Sequence, residues 1–324
     1  MRWLALLLVV PLLACESRVI VTRTPSASAT TSPSASGAAS PSPTPSGTPA
    51  RIALQPVPNI TPASRLLSYE RGGDIGQPSV RFLLTDDGRV ITEASNGDLV
   101  QRKLTPSGAA TMVLQAIQTG LFERDADYGR TPKPGTTPTS RGATVLIFVV
   151  ANGARVIRVS VVPTGQPDDE LYEPSATRDK LTGLARGYED LSWVPANSWA
   201  EATPQVYRAP AYRLFVLPQP GAAPTGGSPD VDAIWPFLIP IDQVGGPVGG
   251  TLGATWRCAI LGDVDARLLG QSLERVAVIS RFGSGAHIAA GPLAWGAGGG
   301  ALRLELSPLL PHEPATCTGA LPPI

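Results

Sequence analysis

Residues that carry recognisable chemistry are scarce along these 324 positions: two histidines, three cysteines, and lysine only at 103, 133 and 180. Two histidines, His287 and His312, cannot make a histidine-rich metal site, and three cysteines cannot make a zinc ribbon or a disulfide-dense scaffold. Charge of either sign is not in excess. Lys plus Arg and Asp plus Glu each total 26, which removes the basic footprint that nucleic acid or anionic lipid would demand. The near-absence of lysine beside abundant Ala, Gly and Pro reflects a high-GC genome, not a function.

What is present begins with Arg2, followed by the apolar run Trp3 to Leu13. That run has the length of a signal-peptide core and falls well short of the roughly 20 residues that span a bilayer. It ends Leu12-Leu13-Ala14-Cys15, which resembles the lipobox of bacterial lipoproteins. The resemblance implies cleavage after Ala14 and transfer of lipid to the Cys15 thiol. A plainly secreted protein cut nearby, or an uncleaved anchor, are the alternatives. Two or three acyl chains, at about 0.8 kcal/mol per buried methylene, hold a protein on a membrane far more firmly than one.

From about Thr22 the chain is dominated by Ser, Thr, Pro, Ala and Gly, as in Pro41-Ser42-Pro43-Thr44-Pro45. Such a stretch cannot bury enough surface to offset its ordering entropy and is expected to stay disordered. The expected organisation is a signal peptide over 1–14 and a lipid anchor with disordered linker over 15–62. Two modules then follow, over 63–195 and 196–324. Once Cys15 is lipidated, Cys258 and Cys317 remain, and in an oxidising compartment an even pair predicts one disulfide. Two buried free thiols are the other reading.

Within the first module, Asp87-Gly88 between Ser79–Thr85 and Arg89–Glu93 predicts a hairpin, because glycine supplies the positive φ of such turns. Thr105-Pro106 predicts a capped helix ending at Gly120. The apolar run Ala143–Val150 turns at Asn152-Gly153 into an alternating strand through Val162, and a second helix runs from Ser175 to about Leu191. In the second module, strands are expected at Tyr212–Leu217, Thr255–Leu261 and Ala301–Leu306. A loop over 221–230 and a helix capped by Asp263 complete it. The fold class is α+β: two small antiparallel-sheet-plus-helix modules behind the anchor.

Two stretches resemble known families. Leu306-Ser307-Pro308-Leu309-Leu310-Pro311-His312-Glu313, running on to Cys317, resembles the tail of an uncharacterised lipoprotein family of high-GC bacteria, as do Trp235-Pro236 and Arg257-Cys258. That likeness supports the Cys258–Cys317 pairing and implies no activity; Ser307 stands where the family usually has Arg. The first module is similar in layout to emfourin, an inhibitor of metallopeptidases. The shared features are Glu70-Arg71-Gly72-Gly73 with Gly76, Gly120-Leu121-Phe122, and the Asn152-Gly153 hairpin.

Most motifs for catalysis fail on inspection. Gly283-Ser284-Gly285-Ala286-His287 lacks the first glycine of a nucleophile elbow, since Phe282 precedes it. Asp125-Ala126-Asp127 begins like a calcium loop, but Thr136 occupies the position of the closing glutamate. Gly245–Gly250 lacks the lysine of a phosphate cradle. Asp168-Asp169-Glu170 reads as solvated surface, with ion binding the alternative, and His312-Glu313 has no further ligand near it in sequence. Trp193, Trp199, Trp235, Trp256 and Trp295 read as packing residues, with sugar stacking the alternative.

No catalytic residue, cofactor or metal is therefore expected. The expected partners are the membrane, through palmitate-type lipid on Cys15, and a protein or peptide ligand, with no nucleic acid. The expected place is the outer face of the cytoplasmic membrane. The function read from the sequence is a non-enzymatic, extracytoplasmic binding lipoprotein of the cell envelope; the alternative is a secreted hydrolase. Cys15→Ala should move the protein from the membrane fraction to the medium or leave it as precursor, read by fractionation and intact mass. Normal processing and membrane retention of the variant would reject the lipoprotein reading.

Overall fold

The structure is a computed structural model that describes residues 51–72, 79–95, 97–137, 144–219, 228–251, 254–275, 279–281, 287–296 and 300–318. All of these belong to one compact unit. Cys15, Ser284 and the Ser/Thr/Pro stretch through residue 50 lie outside the described residues.

The chain opens with strands β1 (Arg65–Gly72), β2 (Ser79–Thr85), β3 (Arg89–Glu93) and β4 (Leu99–Lys103). Helix α1 (Pro106–Gln118) follows, then β5 (Ala126–Tyr128), β6 (Val145–Asn152), β7 (Arg155–Val161), α2 (Ala176–Asp190) and the short β8 (Gln205–Val206). The eight strands form one sheet in the order β5-β7-β6-β1-β2-β3-β4-β8. Pairing is antiparallel throughout except β5 with β7.

The turns and caps follow from specific residues. Gly88 has φ +80°, and a Cβ there would lie 2.8 Å from the Leu104 carbonyl oxygen, so the hairpin between β2 and β3 requires glycine. Thr105 caps α1 by accepting from the Gly108 amide at 3.1 Å, with Pro106 at the first helical position. Period-two alternation puts Tyr69, Phe148 and Val159 in register on one face. There they join Phe82, Met112, Ala116, Leu181 and Tyr188 in a core under the two helices. The other face carries Leu83, Ile91 and Leu99, which pack with Tyr207, Ala209 and Leu310.

The second sheet contains β9 (Ala211–Gln219), β10 (Gly246–Thr251), β11 (Ala254–Gly262), β12 (Ile279–Arg281), β13 (Ile288–Trp295) and β14 (Gly300–Pro308), in the order β10-β11-β9-β14-β13-β12. Helices α3 (Val231–Ile234) and α4 (Asp263–Glu274) lie on the face formed by Leu214, Val216, Leu261, Leu302 and Leu304. The opposite face carries Phe215, Leu217 and Cys258, and Cys258 is bonded to Cys317. The protein is therefore an α+β fold of two antiparallel-dominated sheets.

Several local expectations need correction. Gly245–Gly250, which the sequence left without an element, carries the edge strand β10 from Gly246, and a Cβ on Gly245 would fall 1.9 Å from the Cys258 carbonyl oxygen. Asp263 does not cap α4; it is the first helical residue and pairs with Arg267 one turn on, while Gly262 precedes it. Within the expected loop over 221–230, residues through 227 lie outside the described residues, and Asp230 caps α3.

The largest correction concerns the linker expected to run to Pro62. Residues 51–62 are docked on the second sheet's side of the body. Ile52 pairs with Phe237, its amide donates to Pro236 at 2.9 Å, and its carbonyl accepts from Leu238 at 2.8 Å. Leu54 packs into the core, and the Gln55 amide donates to Asp265 Oδ2 at 2.7 Å. Asp265 is fully buried, so this amide supplies a partner that the carboxylate would otherwise lack. One packed apolar side chain, Leu54, is enough in a proline-rich segment once the backbone finds bonding partners.

A chain starting at Ala63 should therefore melt several degrees below one starting at Gly47. Losing the amide to buried Asp265 alone is worth about 1–3 kcal/mol, and a 260-residue body shifts by about 2–4 °C per kcal/mol. Equal melting temperatures would show that the segment contributes nothing.

Candidate functional site

An apolar cavity of about 370 Å3, half open to solvent, lies at one end of the second sheet's helix-covered face. That volume is at the small end of ligand pockets, which are mostly apolar with a few placed polar groups. Val216 and Pro218 of β9, Leu302 of β14, Trp295 of β13 and Ile241 supply the walls. Strand alternation decides which side chains face it: Val216 is opposite Arg257 on β11 and Leu304 on β14.

Arg257 is the cation on the lining of this cavity, which also includes Gln219 and Thr255. Its Nε donates to the Val244 carbonyl at 3.0 Å, and Nη2 donates to those of Gln243 at 3.3 Å and Gly245 at 2.6 Å. These carbonyls fix the guanidinium plane but do not neutralise it. No carboxylate of the described residues reaches it as an ion pair. Asp242 also lines the cavity, from an exposed position where water screens its charge.

A second region lies on the first sheet, where clefts of about 320 and 300 Å3 share Glu189 at the end of α2. Glu189 accepts from the Tyr69 hydroxyl at 3.0 Å and pairs with Arg71 at 4.0 Å. Across the cleft Glu93 pairs with Arg81. Burial pushes the Glu93 carboxyl up, Arg81 opposes that, and the charge of Glu189 adds to the rise. Arg102 stacks 4.0 Å over the Trp199 ring at the far end, so that ring face is already occupied.

A third cluster is buried on the disulfide face of the second sheet. Glu305 is fully buried, 2.7 Å from Arg303 and 3.8 Å from His287 Nε2. Burial raises the Glu305 carboxyl to about 7, against the pull of Arg303. The same burial, aided by Arg303, lowers His287 to about 4.

The residues singled out from sequence fall as follows. Cys258 and Cys317 come together, and Cys15 lies outside the described residues. Asp168 and Asp169 are not free surface: Asp168 pairs with the buried Arg130, and Asp169 with Arg130 and Arg178. Arg130 in turn stacks on Tyr172, so the acidic cluster neutralises buried arginines. Asp125 accepts from the Arg158 amide as β5 joins the sheet. His312 is paired with no metal-ligating group of three among the described residues.

Of the tryptophans, Trp235 is buried edge-on against Phe237 and donates to the Ile239 carbonyl, Trp193 donates to Gly187, and only Trp295 lines the apolar cavity. Sequence reasoning had no signal for the cavity itself. The one local hint is a lone arginine in the apolar strand Trp256–Leu261.

The buried pair has a testable sign. His287, lowered in the folded state, contributes stability above about 6.5 that is lost as pH falls toward 4. Glu305, raised, contributes stability below about 4.5 that is lost as pH rises through 7. Between these limits the two slopes oppose and leave little net dependence. Glu305→Gln should remove one slope, so the variant should lose stability more steeply than the parent from pH 6.5 to 4.5, read by denaturant melts. Parallel curves would reject the assignment. Compared with known proteins, the chain matches no family model, no curated protein and no solved structure.

Proposed function

We propose that this protein is a lipid-anchored, extracytoplasmic binding module, held on the outer face of the cytoplasmic membrane through Cys15. Its folded body takes a protein, peptide or envelope component without turning it over. The observation that carries the reading is the apolar cavity on the second sheet. Its walls come from four separate strands and its single part-buried cation is fixed by backbone carbonyls, an arrangement suited to holding a ligand. The cysteine pair supports an oxidising location. The docking of Ile52 and Gln55 on the body supports a tether that ends before residue 51. The emfourin-like layout of the first module is the reason to include a metallopeptidase among the binding partners tried.

A secreted hydrolase is the second reading, and one observation favours it. Glu93 and Glu189 line one cleft with Arg71 and Arg81, and Glu189 accepts from the Tyr69 hydroxyl; paired carboxylates are the usual means of acid–base hydrolysis.

One experiment separates the two. The protein is incubated with peptidoglycan fragments, envelope peptides and a metallopeptidase, following both thermal shift and product release. Binding predicts a saturable rise in melting temperature with no product, unchanged in Glu93→Gln. Product release abolished by Glu93→Gln or Glu189→Gln would select the hydrolase and discard the binding reading.

A further inference from the structure

We infer that the cavity on the second sheet is a site for a small ligand with an apolar body and one carboxylate, the carboxylate being received by Arg257. This deepens the binding reading above and rests on it.

Three features converge. The walls contributed by Val216, Pro218, Ile241, Trp295 and Leu302 offer apolar side-chain area to an occupant. Arg257 lines this cavity, and its guanidinium is already oriented: Nε and Nη2 are committed to the carbonyls of residues 243–245. Its Nη1 has no acceptor among the described residues. An arginine in that state keeps its full charge beside a low-dielectric wall, where attraction to an anion is stronger than in water.

A cationic ligand meets the same charge as repulsion, and a neutral one leaves it uncompensated. Asp242 does not cancel the argument. It lies on the lining but is exposed, and it makes no bond to Arg257. The charge fixed in place on the cavity wall is that of Arg257.

The size of the cavity sets the scale of the ligand. About 370 Å3 accommodates a medium alkyl chain or a single aryl group, not a diacyl lipid. Trp295 on the wall gives an intrinsic optical report of occupancy.

The test uses the full-length Cys15→Ala chain with its disulfide intact and three probes of one shape: octanoate, octylamine and octanol. Titration calorimetry and tryptophan emission should show octanoate binding at least tenfold more tightly than either of the others. Arg257→Met should weaken octanoate tenfold or more while leaving octanol unchanged. Because Arg257 also steadies residues 243–245, a second variant is needed. Thr255→Trp places a bulky ring at an exposed position on the cavity wall and should abolish binding of octanoate with Arg257 intact. Asp242→Asn should leave octanoate binding equal or tighter.

Preference for octylamine, or equal binding of all three probes, would overturn the proposal. So would octanoate binding that survives Thr255→Trp. Binding by a chain beginning at Gly47 but not by the full-length chain would also overturn it, by assigning the cavity to the protein's own N-terminal segment. If no probe binds but an envelope component still raises the melting temperature, the carboxylate site fails and the binding reading stands. Product release in the assay above would remove both.

Discussion

Leu309 to Cys317 touch both sheets, and the arrangement of the body depends on that contact. The Leu309 amide donates to Ala211 at the start of β9, and its carbonyl accepts from the Tyr207 hydroxyl at 2.7 Å. Leu310 then packs against Leu83, Ile91 and Leu99, on the face of the first sheet turned away from its helices. Without that cover, a row of buried aliphatic side chains would be open to water, at about 25 cal/mol per Å2 of apolar surface. Glu313 accepts from the Leu310 amide and pairs with Arg213 on β9, which closes a turn that cannot rely on regular backbone pairing. The Cys258–Cys317 bond fastens the far end. For a sequence separation of 59, the chain-entropy model gives about 4 kcal/mol.

The first of the docked segments at the N-terminal side meets this same tail. The Ala63 amide donates to the Pro311 carbonyl at 2.7 Å, so the entry of the chain into β1 and its exit after β14 are joined directly. Around this junction Glu70 is pushed up by burial, offset by Arg65 and then by Arg158, with Glu313 adding to the rise. His312 is lowered to about 4 by burial, with Glu313 opposing. Charged groups of both sheets thus share one partly dry region. Breaking one member would leave its partner buried and poorly solvated, which costs more than the pair itself contributes.

Legibility in the sequence tracked how local the cause was. The β2–β3 hairpin needs one glycine with positive φ, and Gly88 announced it. The start of α1 needs a hydroxyl and a proline in adjacent places, and Thr105-Pro106 supplied both. β5, with three residues, and β8, with two, carry too little pattern to detect; they exist because a neighbouring edge was free to pair. β13 was missed because Ala289-Ala290-Gly291-Pro292 has none of the β-branched residues that mark a strand, yet it pairs with β14 along most of its length. The end of the linker was misplaced for a related reason. Ile52 and Gln55 are unremarkable in a proline-rich segment until Phe237, Leu238 and Asp265 give them partners some 180 to 210 residues away.

The cavity was illegible on stronger grounds, since its lining comes from residues 216, 218, 219, 241, 242, 255, 257, 295 and 300–302. What brings them together is the order β11-β9-β14-β13, which depends in turn on two crossings of the sheet by α3 and α4. Arg257 illustrates the consequence. In sequence it sits beside Cys258 as one member of a short motif; in the structure successive residues of β11 point to opposite faces, so the cysteine fastens the tail while the arginine faces the cavity. A one-residue shift of β11 against β9 would exchange those faces, burying the guanidinium among Phe215 and Leu217 and taking the thiol away from Cys317. The disulfide therefore does more than hold the tail. By fixing the register of β11 it also fixes which side of the sheet carries the charge of Arg257.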